Sequence, residues 1–238
     1  MLFAAGLGTR LRPYTNDRPK ALVEIGGRSL LEINLDRLAG AGFTEVVVNA
    51  HHHAPLIKAF LAGYQRPGLT VILSDETDKL LDTGGGLRRA QAWLQDAPFL
   101  AHNVDILSDL DLGALYAAHC AAGRLATLAV RERPSSRQLL FTPEGELCGW
   151  RNNSSGAERR RLPCPEPRPA AFSGIYVLDP RIFNLMPPSG EAFSIIDTFL
   201  SAGPEERLKA CYHNETAWMD VGRPETLAQA EAWLANRP

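Results

Sequence analysis

Ala4-Ala5-Gly6-Leu7-Gly8-Thr9-Arg10-Leu11-Arg12-Pro13, followed by Pro19-Lys20-Ala21-Leu22, is the stretch on which the reading of this chain turns. Leu2–Ala5 predicts a short strand, and two glycines directly after it predict a tight turn. Glycines let backbone N–H groups approach phosphate oxygens closely. Arg10, Arg12 and Lys20 add cations within a few residues of that turn. The combination suits a pocket for a polyphosphate, and a phosphate-rich substrate is the first expectation.

Working outward, apolar runs alternate with helical patterns. Strands are expected at Glu45–Asn49, Thr70–Ser74, Phe99–Asn103 and Ala126–Arg131, and helices at Leu30–Ala41, Ala54–Leu61, Gly86–Leu94 and Leu110–Ala122. Ser29 is the expected N-cap of the first helix, with Gly42 near its end. Such repeats predict an α/β fold: a doubly wound, mostly parallel, Rossmann-like sheet with ligands beyond the carboxyl ends of its strands. The second half changes character. Short strands at Gln138–Phe141 and Leu147–Trp150 flank the turn Pro143-Glu144-Gly145. Arg159-Arg160-Arg161 and four spaced prolines then read as a solvated connector. A strand at Ala171–Leu178 and helices at Phe193–Leu200 and Pro224–Ala235 follow. We expect one domain over 1–238, with a nucleotide-binding core at 1–131, a small β-rich insertion at 132–178, and a return to the core at 179–238.

Bulk properties narrow the function. The 238 residues carry a net charge of −2, which gives no general nucleic-acid or membrane surface. No apolar run approaches the roughly 20 residues needed to cross a bilayer. The four cysteines are widely scattered, without a Cys-x-x-Cys pair, so neither a disulfide framework nor a cysteine-bound zinc is expected. With no basic-then-apolar leader ahead of the motif, a cytoplasmic location is expected. His51-His52-His53 reads as a loop, because consecutive side chains in extended backbone point to opposite faces.

The glycine turn matches neither common nucleotide motif. A dinucleotide fingerprint would place a third glycine where Leu11 stands, and a Walker loop would require glycine-lysine-serine or threonine. The segment resembles instead the sugar-1-phosphate nucleotidylyltransferases, whose signature is a glycine-x-glycine-threonine-arginine-leucine turn ending in proline-lysine. Gly6, Gly8, Thr9, Arg10, Leu11, Pro13, Pro19 and Lys20 all stand in register. The similarity runs through most of the chain and is closest to the short N-acetylmuramate-1-phosphate uridylyltransferase type, which carries a segment like Thr83-Gly84-Gly85-Gly86.

The resemblance implies a reaction between a nucleoside triphosphate and a sugar-1-phosphate that yields a nucleotide-sugar and pyrophosphate. It implies Arg10 on the β and γ phosphates and Lys20 near the α-phosphate and the incoming sugar phosphate. It implies Mg2+ held by Asp105, at a strand's carboxyl end, and by Asp220 in Trp218-Met219-Asp220-Val221-Gly222. Ala5, Gly6, Gly8, Thr9, Gly84, Gly85 and Asn103 would meet the nucleotide, Gly84 and Gly85 because a side chain there would obstruct a flat base. Gln138, Arg151 and Gly174 would meet the sugar. Two departures stand out. Val104 replaces the family's glycine before the metal aspartate, and Trp150-Arg151-Asn152-Asn153 replaces a glutamate-lysine-proline motif, with Arg151 or the Arg159–Arg161 run as the candidates for that charge. The competing expectations are a cytidylyltransferase for phosphocholine or another small non-sugar phosphate, a catalytically silent nucleotide-sugar sensor, and a glycosyltransferase. The retention of Arg10, Lys20, Asp105 and Asp220 argues against silence. Asp109-Leu110-Asp111 spells a glycosyltransferase motif but leads into a helix.

Overall fold

A computed structural model describes residues 1–236. The chain forms two compact units: one from Met1–Leu80, His102–Leu112 and the segment from Ala217 onward, the other from Leu81–Ala101 and Gly113–Thr216.

The first unit is built on parallel strands. Val46-Val47-Val48 lies in the strand Glu45–Ala50, buried at every residue after Glu45, as a strand covered on both faces should be. It runs parallel to Leu2–Phe3 and to Thr70–Asp75, with Leu2 opposite Val48 and Val47 opposite Ile72. Leu2 also stands opposite His102 of Phe99–Asn103, again in parallel. Helix Leu30–Gly40 starts at Ser29, whose Oγ accepts the Glu32 N–H at 3.1 Å. It ends through Gly42 at φ +91°, where the Phe43 N–H reaches the Leu38 carbonyl at 3.1 Å, a closure that favours glycine. Leu30, Leu31, Ile33, Leu35 and Leu38 form its buried face. Further along the chain, Ile106–Ser108 pairs antiparallel with Trp218–Asp220, setting Asp220 opposite Ile106. Helix Pro224–Ala235 follows, with proline in its first turn.

The second unit is mainly antiparallel. The strand Arg168–Leu178 pairs with Ala126–Arg131 and, near its start, with Arg137–Phe141. Leu147–Asn152 and then Glu158–Arg160 extend that side, while Leu208–Tyr212 runs parallel to Ala126–Arg131. Tyr176 and Phe199 meet edge to face in the core, with centroids 6.0 Å apart, a favoured aromatic geometry. Among the described residues no helix is long and apolar enough to cross a membrane.

Two local expectations need correction. The helix expected at Gly86–Leu94 spans Asp82–Arg89, and a separate 3-10 turn covers Gln91–Trp93. Three glycines in a helix cost about 1 kcal/mol each against alanine, so propensity pointed to a later start. Tertiary contact reverses this. A Cβ on Gly84 would lie 2.3 Å from the Phe193 ring, and one on Gly85 would lie 2.3 Å from the Glu191 carbonyl. The Gly84 and Gly85 N–H groups already donate to the Phe193 carbonyl at 2.9 and 3.3 Å. The Phe193 ring by itself accounts for glycine at position 84.

The basic connector is also more than a solvated loop. Arg159 pairs with Asp197 and Arg160 with Glu158, but Arg161 is partly buried and donates to four carbonyls. These belong to Leu147 (2.8 Å), Ala202 (3.1 Å), Gly203 (2.6 Å) and Glu206 (2.6 Å). Arg161 is therefore committed to structure, while Arg159 and Arg160 make exposed surface pairs. Only a planar fork can serve so many acceptors at once. Arg161→Lys is expected to lower unfolding stability by about 2 kcal/mol, the cost of leaving partly buried carbonyls unmatched. A urea-denaturation midpoint equal to wild type would count against the clamp.

Candidate active site

The glycine turn is closed from inside the first unit. Gly8 adopts φ +64°, and a Cβ there would stand 3.0 Å from Thr15 Cγ2 and 3.1 Å from Lys20 Cβ. Thr15 Oγ1 donates to the Gly8 carbonyl at 2.8 Å, as does the Leu11 N–H at 2.9 Å. Leu11 is wholly buried, which explains an apolar anchor where a dinucleotide fingerprint would have glycine. Gly6 differs from Gly8. It is exposed, and nothing lies within 4 Å of a Cβ built on it. No neighbour among the described residues demands a glycine at that position.

Lys20 is 9% exposed and begins a 3-10 turn at Lys20–Leu22. Its ammonium contacts Asp105 Oδ2 directly. Asp105 follows the strand Phe99–Asn103 and a Val104 that is buried at 4% exposure. The Val104 N–H donates to the Phe3 carbonyl at 3.0 Å, and its carbonyl accepts from Asn34 Nδ2 at 2.9 Å. Val104 is not among the residues at positive φ, so the β-branched side chain fits there without backbone strain.

The antiparallel pair described above delivers the second carboxylate. The Val221 N–H donates to the Asp105 carbonyl at 2.8 Å, and Gly222 comes next. A Cβ on Gly222 would lie 2.6 Å from Asp220 Oδ1, 3.1 Å from Lys20 Nζ and 3.2 Å from Arg10 Nη2. Three charged groups separated by up to 210 positions in sequence thus surround one small space, with Asp105 joined to them through Lys20, and glycine keeps it open. Two cations face two carboxylates there, so the cluster is close to neutral. A triphosphate entering it would need additional positive charge.

Three residues before Asp105 stands a buried histidine. His102 Nδ1 faces the Asn103 carbonyl at 2.8 Å, and Nε2 faces Arg37 Nη1 at 3.4 Å. Burial, followed by the nearby Arg37 charge, pushes its pKa down to about 3. The ring is therefore neutral at pH 7, with its proton on Nδ1 toward the carbonyl. The unfolded chain takes up this proton near pH 6.5, whereas the folded state resists it until about pH 3. The favourable contribution is complete above pH 6.5 and is lost as pH falls through that window. His102→Gln is expected to flatten the loss of unfolding stability between pH 6.5 and 4 by up to about 1.4 kcal/mol per pH unit. Parallel wild-type and variant slopes in urea titrations would refute this.

Ala5, Gly6, Gly8, Thr9, Arg10, Lys20, Asn103, Asp105 and Asp220 all belong to the first unit, while Gly84, Gly85, Gln138, Arg151 and Gly174 belong to the second. Within the second, Gln138 and Arg151 are cross-strand partners. Gln138 Oε1 accepts from Arg151 Nε and Nη2 at 3.1 and 2.8 Å, and from Asn153 Nδ2 at 3.0 Å. Gly174, at φ +72°, sits in an irregularity where three residues of its strand lie against one of the neighbour. Just before it, Ser173 Oγ meets His213 Nε2 at 2.7 Å. The sequence reading missed Gly222, Thr15 and Asn34. Of these only Gly222 carried a local signal, a glycine two residues past a candidate metal ligand.

Comparison with other proteins gives the family. The profile of the nucleotidyl transferase family matches residues 1–139, and the chain belongs to that family. It is 34% identical to an N-acetylmuramate alpha-1-phosphate uridylyltransferase from Caulobacter vibrioides, over 99% of this chain and 96% of that protein. It is 29% identical to a mannose-1-phosphate guanyltransferase from Gibberella zeae, over 94% of this chain but 61% of that longer protein. A provisionally named glucose-1-phosphate thymidylyltransferase from Bacillus anthracis, solved with sucrose, shares the fold. Its TM-score is 0.82 at 18% identity, covering all of this chain and 95% of that one.

Proposed function

We propose that the protein transfers a nucleotidyl group from a nucleoside triphosphate to a sugar-1-phosphate, giving a nucleotide-sugar and pyrophosphate. The convergence of Arg10, Lys20 and Asp220 around Gly222, with Asp105 against Lys20, carries this reading. An oxygen of the sugar phosphate attacks the α-phosphorus as the bond to the pyrophosphate oxygen breaks. The obstacle is electrostatic, since two anions must meet and negative charge grows on the leaving group. Lys20, a compact ammonium, would lie between the α-phosphate and the attacking phosphate. Arg10, a planar guanidinium, would hold the β and γ oxygens. The turn after Ala5, from Gly6 to Thr9, would present backbone N–H groups, with Gly6 leaving room for close approach, and Asn103 would border the nucleotide. Gly84 and Gly85 would serve it only indirectly, since their amides are engaged with Phe193. Gln138, Arg151 and Gly174 would meet the sugar, with Arg151 held in place by the Gln138 oxygen.

The donor set fits Mg2+. Asp105 and Asp220 offer hard carboxylate oxygens beside one space, and Asp105 already has a cation, the Lys20 ammonium, against it. Bound there, the ion would neutralise phosphate charge that two side-chain cations alone leave uncompensated. Four free thiols accord with a reducing, cytoplasmic setting.

The near full-length relation to the Caulobacter enzyme makes UTP and N-acetylmuramate 1-phosphate the expected pair. The test is a matrix of four nucleoside triphosphates against N-acetylmuramate, glucose and mannose 1-phosphates and phosphocholine, read by pyrophosphate release with Mg2+. Turnover with UTP and N-acetylmuramate 1-phosphate is expected to dominate. Turnover confined to phosphocholine would move the protein to the non-sugar class, and none at all would sink the enzymatic reading.

A further inference from the structure

A polar side chain near the end of a buried strand needs a physical reason. Asn49 is 2% exposed on the strand Glu45–Ala50. Its Oδ1 accepts from the Ala4 N–H at 2.7 Å and the Ala5 N–H at 3.3 Å. Its Nδ2 donates to Oε1 of Glu76 at 2.8 Å, and Glu76 has no exposed surface. Glu76 is pinned in turn, because its N–H donates to the Ala50 carbonyl at 2.8 Å and its carbonyl faces His51 Nδ1 at 2.6 Å.

The arrangement solves a problem created by the glycine turn. Leu2–Phe3 is only two residues long, and its pairing with the Glu45–Ala50 strand ends with Phe3 opposite Asn49. Ala4 and Ala5 remain buried at 2% and 5% exposure after the strand has ended. A buried N–H left without an acceptor costs about 1–3 kcal/mol. Asn49 Oδ1 supplies the acceptor that the ladder no longer provides. Glu76 decides which end of the amide faces the turn. In the flipped orientation, Nδ2 would meet two N–H donors and Oδ1 would meet a carboxylate.

We propose that Asn49, oriented by Glu76, is a positioning residue for the nucleotide: it fixes the backbone of Ala4 and Ala5, and so the place where the Gly6 turn presents itself to phosphate. This rests on the nucleotidyl-transfer reading of that turn. The test inverts the hydrogen bond without changing shape. In N49D a second carboxylate faces Glu76, and KM for UTP is expected to rise at least about tenfold while KM for N-acetylmuramate 1-phosphate stays within about twofold. In E76Q the glutamine oxygen still accepts from Asn49, and KM for UTP should stay within about threefold of wild type. The double variant N49D/E76Q restores a donor opposite an acceptor and should return KM for UTP to within about threefold.

Unchanged KM for UTP in N49D, equal losses for both substrates, or no recovery in the double variant would each overturn the proposal. Asn49→Ser, uncharged and too short to reach, covers the case in which N49D does not fold. In the unliganded protein it should speed hydrogen exchange at the Ala4 and Ala5 amides, and unchanged exchange there would equally overturn the anchor. Because exchange is read without substrate, a wild-type chain that releases no pyrophosphate would refute the functional reading and still leave the anchor decided.

Discussion

Lys20→Ala and Asp105→Ala are each expected to lower turnover by at least about 100-fold, which is about 2.7 kcal/mol of transition-state stabilisation. The two side chains form one contact, 11% and 17% exposed, but they would act on different charges. Lys20 would neutralise the phosphates that approach one another, and Asp105 would hold the divalent ion. Losing either leaves its partner poorly compensated, and residual solvent access keeps the folding penalty to about 1–2 kcal/mol. Pyrophosphate release and urea unfolding should therefore separate, with a large loss in the first and a small one in the second. Wild-type-like pyrophosphate release from either variant would remove these residues from the chemistry. Inactivity matched by global unfolding would make the pair structural.

Gly222→Ala is the second large effect, because it adds one methyl group and removes no charge. The new carbon would lie 2.6 Å from Asp220 Oδ1, closer than a methyl and a carboxylate oxygen tolerate, and just over 3 Å from the Lys20 and Arg10 nitrogens. Gly222 is not at positive φ, so alanine brings no backbone strain there. The obstructing atoms are ends of flexible side chains, which can swing aside. Stability should change by no more than about 1 kcal/mol. Activity should fall at least about 30-fold, since groups displaced by about 1 Å no longer match the transition state. The Mg2+ concentration giving half-maximal rate should rise as well, with Asp220 pushed off its position. A variant with wild-type rate and Mg2+ dependence would show that the convergence at Gly222 does not matter to catalysis.

The parallel strands and most helices were legible in the chain because their causes are local. Val46-Val47-Val48 reads as a buried strand from three residues, and Ser29 caps its helix through an N–H three residues away. The Asp82–Arg89 helix was misplaced because Gly84 and Gly85 answer to Phe193 and Glu191, more than a hundred positions distant. Leu208–Tyr212 and Trp218–Asp220 were not foreseen. Both are short and only partly buried, so neither shows the continuous apolar run that marks a covered strand.

By itself, the sequence determined the α/β class and the glycine turn after the first strand, because residue type and near-neighbour spacing are enough for those, while the family resemblance drew attention to Arg10, Lys20, Asp105 and Asp220. Only the tertiary structure decided that Arg10, Lys20 and Asp220 share one small space beside Gly222 with Asp105 against Lys20, that Arg161 is spent on four carbonyls, and that Asn49 accepts from the backbone of the turn. Each of these depends on contacts between residues remote along the chain. Such contacts follow from how strands and helices pack, and no local pattern encodes the partner.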